Sequence, residues 1–178
     1  PGRLPTRVPL PAIVKPVAEH GSCGVSLASV VDERHALRER IDECIRSYRQ
    51  PALVEEFIDG RELNVALWGN GFPEVLPIAE IAFTWTEEPL QRIVTFSGKW
   101  HADSVEAVGT PGICPADLSA EDEDAVEAAA VLAVVAGRVA LRARVRPRRD
   151  LQRAGHIGDA RRQGIVEDGV DRGVVAVV

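Results

Sequence analysis

Two stretches of the chain combine residue types that could hold a charged or aromatic ligand. The first is Ala12-Ile13-Val14-Lys15, a short apolar run stopped by Pro16, followed by Ala18-Glu19-His20-Gly21-Ser22-Cys23-Gly24. A lysine at a strand end beside a glycine loop offers a point charge. The glycines let backbone N–H groups approach phosphate oxygens closely. The same residues also describe a solvated lysine at a turn, and this segment alone leaves both readings open. The second stretch is Leu53-Val54-Glu55-Glu56-Phe57-Ile58-Asp59-Gly60-Arg61-Glu62. Successive carboxylates on an otherwise apolar strand place one of them on the inner face, where burial demands a hydrogen-bond partner. An adenine amino group would serve, with the backbone of Phe57 and Ile58 reading the ring edge and Glu62 accepting from ribose hydroxyls. The other reading is an edge strand with one glutamate outward and the other paired to Arg61 or a neighbouring lysine.

Remaining polar groups suit plainer roles. His20 reads as a solvated loop histidine. His101, Asp103 and Glu106 read as a hydrated loop rather than a metal site. Ser22 has no His or Asp partner that would make it a nucleophile. Cys23, Cys44 and Cys114 are odd in number, far apart and without C-x-x-C spacing, so reduced, partly buried thiols are expected rather than a zinc site or disulfide framework.

The elements that must position these groups follow from the pattern. Pro1, Pro5, Pro9 and Pro11 mark an extended lead. The run ending at Lys15 and the shorter Val25-Ser26-Leu27 read as strands. Asp32 is placed to cap a helix to about Arg49, with Leu37, Ile41, Cys44, Ile45 and Tyr48 on its buried face and Arg38, Glu39, Arg40 and Glu43 toward solvent. Leu53 to Phe57 reads as a strand and Asp59-Gly60 as a turn. Leu63, Val65 and Leu67, alternating with Glu62, Asn64 and Ala66, read as another strand. Gly69-Asn70-Gly71 reads as a turn and Glu74 to Ile81 as a further strand. Ser119 and Asp122 form a capping-box pattern opening a helix that ends near Gly137. This order is α+β with mostly antiparallel pairing.

The 178 residues suffice for a domain with a real core. An apolar share of 46% and a charged share of 27% are those of an ordinary globular chain. No run is long enough to span a bilayer and no signal-peptide pattern opens the chain, so a cytoplasmic location without membrane association is expected. A net charge of −6 gives no general reason for nucleic-acid binding. The absence of methionine and the start at Pro1 suggest a fragment of a longer protein.

Taken in order, several motifs resemble those of D-alanine–D-alanine ligases in the ATP-grasp superfamily. They are Ile13-Val14-Lys15-Pro16, Glu19 to Val25, Val54 to Val65, Ser97-Gly98-Lys99-Trp100 and Ile113-Cys114-Pro115-Ala116. The resemblance runs from about Leu10 to Gly137. It implies an ATP-grasp fold, here incomplete, with antiparallel sheet subdomains and packed helices. The expected ranges are an extended lead at 1–11, a small subdomain with the glycine loop at 12–60, a partial larger subdomain at 61–137 and an arginine-rich tail at 138–178. Lys15 and Lys99 would contact ATP phosphates, and Gly21, Ser22, Cys23 and Gly24 would form the loop closing over them. Glu55 would take the adenine amino group, Glu56 and Ile58 would give main-chain contacts beside Phe57, and Glu62 would hold the ribose. The implied reaction is ATP-dependent joining of a carboxylate to an amine through an acyl phosphate, with Mg²⁺ and a small amino-acid substrate such as D-alanine.

The chain departs from this pattern after Gly137. The family's Arg-x-Asp strand and later Glu-x-Asn, whose oxygens hold Mg²⁺, have no match. Asp150, Asp159, Glu167, Asp168 and Asp171 stand in no such frame. The family's N-terminal domain has no counterpart either. Nine arginines and two acidic residues occupy 138–162, and no aromatic residue follows Trp100. Back-translation of Val135 to Arg144, read one base later, permits family-like strings, so a frameshifted tail is expected rather than a nucleic-acid-binding one. The expected consequence is a nucleotide-binding core that is inactive as a ligase.

Overall fold

The computed structural model describes residues 8–69, 73–135, 142–145 and 174–177. It is mixed α and β with small antiparallel sheets. Its residues cluster into two compact units, Pro1–Asp59 with Phe83–Pro111, and Gly60–Ala82 with Gly112–Val178. Residues 83–111, read in the sequence as part of the second subdomain, cluster with the first unit.

In the first unit, β1 (Ala12–Pro16) is the centre of a three-stranded sheet. It pairs antiparallel with β2 (Val30–Val31) and with β3 (Ala52–Glu56). The period-two alternation of β1 buries Ala12, Val14 and Pro16 and leaves Ile13 and Lys15 half-buried on the other face. Helix α1 (Arg34–Tyr48) covers the buried face, where Leu37 and Cys44 pack with Ala12 and Val14. Ile41, Tyr48, Ala52 and Val54 are among the partly buried residues packed against this cluster. On the opposite face Ile13 packs against Val30, Phe57 and Ile93.

Several expectations for this unit are corrected. The residue preceding α1 is Glu33, not Asp32, and it makes no side-chain capping bond. Ile45 is 44% exposed, because one helical stripe is only wide enough for Leu37, Ile41, Cys44 and Tyr48. Arg40 is not on the solvent face, as described below. The Val25-Ser26-Leu27 segment is not a strand: Leu27–Ser29 is a turn of 3₁₀ helix, and β2 begins at Val30. Ser26 and Ser29 exchange local hydrogen bonds there, which compete with strand pairing.

The second unit is built on β4 (Arg61–Asn64), with β5 (Leu67–Trp68) and β6 (Glu74–Val75) forming a separate two-stranded ribbon. The expected strand from Glu74 to Ile81 is interrupted at Pro77, which cannot donate to a ladder, and β7 (Ala79–Ile81) resumes after it. Strand β8 (Gly112–Ile113) pairs with β7. Helix α4 (Ala120–Val135) opens as its capping pattern predicts, the Asp122 N–H donating to Ser119 Oγ at 3.2 Å. Its Val126 packs with Leu63 and Ile78 in the core of this unit. The short helices α2 (Phe96–Trp100) and α3 (Val105–Val108) belong to the first unit.

The arginine-rich tail yields two strands where the sequence offered no readable fold. β9 (Arg142–Val145) pairs with β4, and β10 (Val174–Val177) pairs with β9. The five-stranded order is β10-β9-β4-β7-β8. Backbone pairing supplies the hydrogen bonds whatever the side chains, so arginine content does not forbid a strand. The Val-Val-Ala-Val run was a β-branched signal available in the sequence. Asn70 and Gly71 of the expected turn, and residues 146–173 of the tail, lie outside the described residues.

Candidate functional site

The Lys15 and Glu55 side chains are ion-paired. In the antiparallel register Ile13 stands opposite Glu55 and Lys15 opposite Leu53, so the two charged residues are diagonal neighbours on one face of the sheet. This is the face turned away from α1. Both side chains keep about a quarter of their surface in solvent, at 30% and 25%. The neighbouring-lysine alternative for the buried carboxylate is therefore the arrangement observed.

The glycine loop lies against the end of β1. Gly21, Ser22 and Gly24 have φ of 61°, 63° and 77°, the left-handed region. A Cβ on Gly24 would meet Pro16 Cγ at 2.5 Å and Tyr48 Cζ at 2.9 Å, so glycine is required there on two grounds. Within the loop the Cys23 N–H donates to His20 O at 3.1 Å and the Val25 N–H to Ser22 O at 2.9 Å. Among the described residues, none accepts a hydrogen bond from the amides of Gly21, Ser22 or Gly24. Left-handed backbone with undonated N–H groups beside a lysine-bearing strand end has the chemistry of an anion cradle.

Helix α2, which carries Lys99, is fastened to this loop. Ser22 Oγ donates to Val94 O at 2.8 Å, the Phe96 N–H to Val25 O at 2.9 Å, and Trp100 Nε1 to Gly21 O at 2.8 Å. The Trp100 ring lies over Gly21, where a Cβ would be 3.1 Å from it. Thr95, buried, caps α2 by accepting from the Gly98 N–H at 2.9 Å and donates its own hydroxyl to Glu106 at 3.2 Å. Lys99 is exposed on this helix. Position and sequence flagged Lys99, but the role of Trp100 as a clamp on Gly21 emerges only in three dimensions.

Around Glu55, Glu56 is exposed, while Phe57 and Ile58 are buried. The Phe57 N–H donates to Pro11 O at 2.8 Å. Glu62 lies in the second unit on β4 and is buried together with its neighbour Leu63. Lys15, the loop from Gly21 to Gly24, Glu55 to Ile58 and Lys99 all belong to the first unit.

All three cysteines are free, with Cys44 buried, Cys23 half-buried and Cys114 exposed. Burial holds the Cys23 thiol above its ordinary value, and the Glu19 carboxylate adds to this through a hydrogen bond and its charge. Burial raises Cys44 as well, partly opposed by Arg40. His20 is exposed, and His101 lies edge-on to Phe96 at 5.8 Å. Among the described residues no three His, Cys, Asp or Glu side chains group to hold a metal ion. The sequence from Arg142 to Val145 contains no Asp or Glu. These residues do not fit Mg²⁺.

Residues 3–147 match the family model described as D-ala D-ala ligase C-terminus. An uncharacterized protein of Sinorhizobium fredii is 40% identical over 111 residues, covering 62% of this chain and 30% of that protein. The D-alanine--D-alanine ligase of Pseudothermotoga lettingae is 29% identical over 112 residues, 63% of this chain and 33% of the ligase. That of Bordetella avium is 30% identical over 135 residues, 74% of this chain and 37% of the ligase. The chain thus spans about a third of the length of these relatives. With the matched region running through the glycine loop, the Glu55 strand and α2, the chain belongs to the D-alanine–D-alanine ligase-like family of the ATP-grasp superfamily.

Proposed function

We propose that this chain is the ATP-binding core of an ATP-dependent carboxylate–amine ligase with the ATP-grasp fold, acting on D-alanine or a related small amino acid. The observation that carries the proposal is the clustering in one unit of Lys15, Glu55, the left-handed glycine loop and the Lys99 helix fastened to it. In the reaction ATP phosphorylates a carboxylate, and an amine then attacks the acyl phosphate. Lys15, Lys99 and the amides of Gly21, Ser22 and Gly24 neutralise charge on the phosphoryl oxygens, with Cys23 inside the same loop. Glu55 accepts from the adenine amino group, Glu56, Phe57 and Ile58 border the ring, and Glu62 accepts from the ribose.

The Lys15–Glu55 pair gives this reading a specific consequence. Each side chain is the other's partner without nucleotide, so binding exchanges one ion pair for two contacts to the ligand. Lys15→Ala is therefore expected to weaken ATP binding by roughly tenfold or more, the worth of a charge-assisted contact. Calorimetric titration of the full chain checks this, and equal ATP affinity for wild type and variant would sink the assignment.

A second reading is favoured by the sequence over 142–145, which holds no carboxylate. With Arg142 and Arg144 on the strand that pairs with β4, the chain binds nucleotide without turning it over. Phosphate release that depends on D-alanine and Mg²⁺, at the rate of a full-length relative, would refute that inactivity.

A further inference from the structure

We propose that Arg40 is a positioning residue that sets the height of the glycine loop over the sheet; its effect on nucleotide rests on the ATP-binding reading above. Arg40 lies on α1, and its side chain is only 10% exposed. One terminal nitrogen, Nη2, donates to Gly24 O at 3.0 Å and to Ser29 Oγ at 3.0 Å, and the other, Nη1, to Glu43 at 2.8 Å. Ser29, fully buried, also reaches Gly24 O at 3.4 Å. The carbonyl of the loop's last glycine is thus gripped from below by a buried cation and a buried hydroxyl.

Packing alone does not hold the loop in place. Between loop and helix lies a cavity of about 360 Å³, lined among others by Cys23, Gly24, Arg40, Cys44 and Tyr48. Arg40, Cys44 and Tyr48 recur every four residues, so they form one stripe of α1 facing the loop. Tyr48 touches Gly24 at one end of the stripe and Arg40 holds its carbonyl at the other. Cys44 sits over the gap. The Nε–H of Arg40 is buried without an acceptor, an unfavourable arrangement retained in a geometry that aims the other donors at Gly24 and Ser29.

Fixing Gly24 O fixes the plane of the Gly24–Val25 peptide, and the Val25 N–H bond to Ser22 O carries that orientation back through the loop. The undonated amides of Gly21, Ser22 and Gly24 are then held in one arrangement without ligand, which lowers the ordering cost of binding an anion. Without the tether the loop can shift toward the cavity and that arrangement is lost. Contacts to the adenine ring, made from β3, do not depend on it.

The test uses the full chain as wild type, Arg40→Met and Arg40→Lys, with two readouts. The first is the rate of Cys23 alkylation by iodoacetamide, with exposed Cys114 as internal control. The second is calorimetric affinity for ATP and, separately, for adenosine. Arg40→Met should speed Cys23 alkylation about tenfold with Cys114 unchanged, and weaken ATP about tenfold while leaving adenosine alone. Arg40→Lys, which keeps a charged donor, should recover part of both. Unchanged Cys23 alkylation in Arg40→Met overturns the tether, as does an equal loss of ATP and adenosine. Wild-type protein that binds neither ligand refutes the nucleotide reading, and Cys23 alkylation then still decides the tether by itself.

Discussion

Among the described residues each unit has a cation–carboxylate pair between neighbouring antiparallel strands, and the two pairs are built differently. In the second unit Arg61 meets Glu80 through two parallel hydrogen bonds, Nε to Oε1 at 2.8 Å and Nη2 to Oε2 at 2.6 Å, and also donates to Asp117 O at 2.7 Å. The hydrogen bonds to Glu80 push the Arg61 guanidinium further above its ordinary value, so it stays charged throughout. In the first unit a single ammonium meets a single carboxylate across β1 and β3, and nothing forks. A planar, bidentate pair that also bonds backbone is an architectural clasp. An ammonium on a flexible stem is an exchangeable one, suited to giving up its partner to a ligand. The same residue classes in the same kind of register therefore give a rigid, forked pair in one unit and a single, more readily exchanged one in the other.

The glycines sharpen the contrast and give the largest expected effect. Gly24→Ala forces a side chain into left-handed backbone and against Pro16 and Tyr48. It should cost about 2–4 kcal/mol in urea-induced unfolding. Gly112→Ala in β8, where nothing lies within 4 Å of the added carbon, should be close to neutral. Equal costs at the two positions would show that the loop does not press on α1.

The ion pairs come next. Arg61→Ala leaves Glu80, only 14% exposed, without its partner and should cost about 2 kcal/mol, a figure reduced from the fully buried case because the Arg61 side chain is 37% exposed. Lys15→Ala should cost under about 1 kcal/mol of stability while weakening ATP binding, on the proposed reading, by roughly tenfold or more. Chemical denaturation of both variants separates them; a Lys15→Ala variant as unstable as Arg61→Ala would make the first pair a clasp too.

The smallest effect concerns pH. A thiol whose folded value is raised contributes stability below its unfolded value, and that contribution is lost as pH rises toward the folded one. Cys44 and Cys23 both lie above the ordinary 9.0. Urea midpoints should thus hold steady to about pH 9 and decline above it. Cys44→Ala should flatten part of that decline, and a slope unchanged in the variant would assign it elsewhere.

Much of this was legible in the chain. The short apolar run over 12–15, stopped by Pro16, reads as a strand, and the helical spacing of apolar residues over 34–48 reads as a helix. Ser119 and Asp122 announce α4 through a local hydrogen-bond pattern. Val25 to Leu27 misled because three residues carry too little period to outweigh serine bonding to nearby backbone. The stretch from Glu74 to Ile81 misled because the break depends on one missing N–H at Pro77. Arg40 differs for another reason: helical charges default to solvent, and nothing local says that the carbonyl of Gly24 lies within hydrogen-bond reach of it.

The sequence by itself determined the residue types, their order and the elements that carry them, since helix caps, strand alternation and glycine placement are local properties of the chain. Family membership came with that order. Tertiary structure alone decided that Glu55 is paired with Lys15 rather than Arg61, because register, not spacing, makes diagonal neighbours. It also decided that Trp100 clamps Gly21 across 79 positions, that Arg40 is buried under Gly24, and that tail residues 142–145 pair with β4. These contacts join segments far apart in the chain, and their energies depend on which surfaces meet once the cores close, which no window of sequence contains.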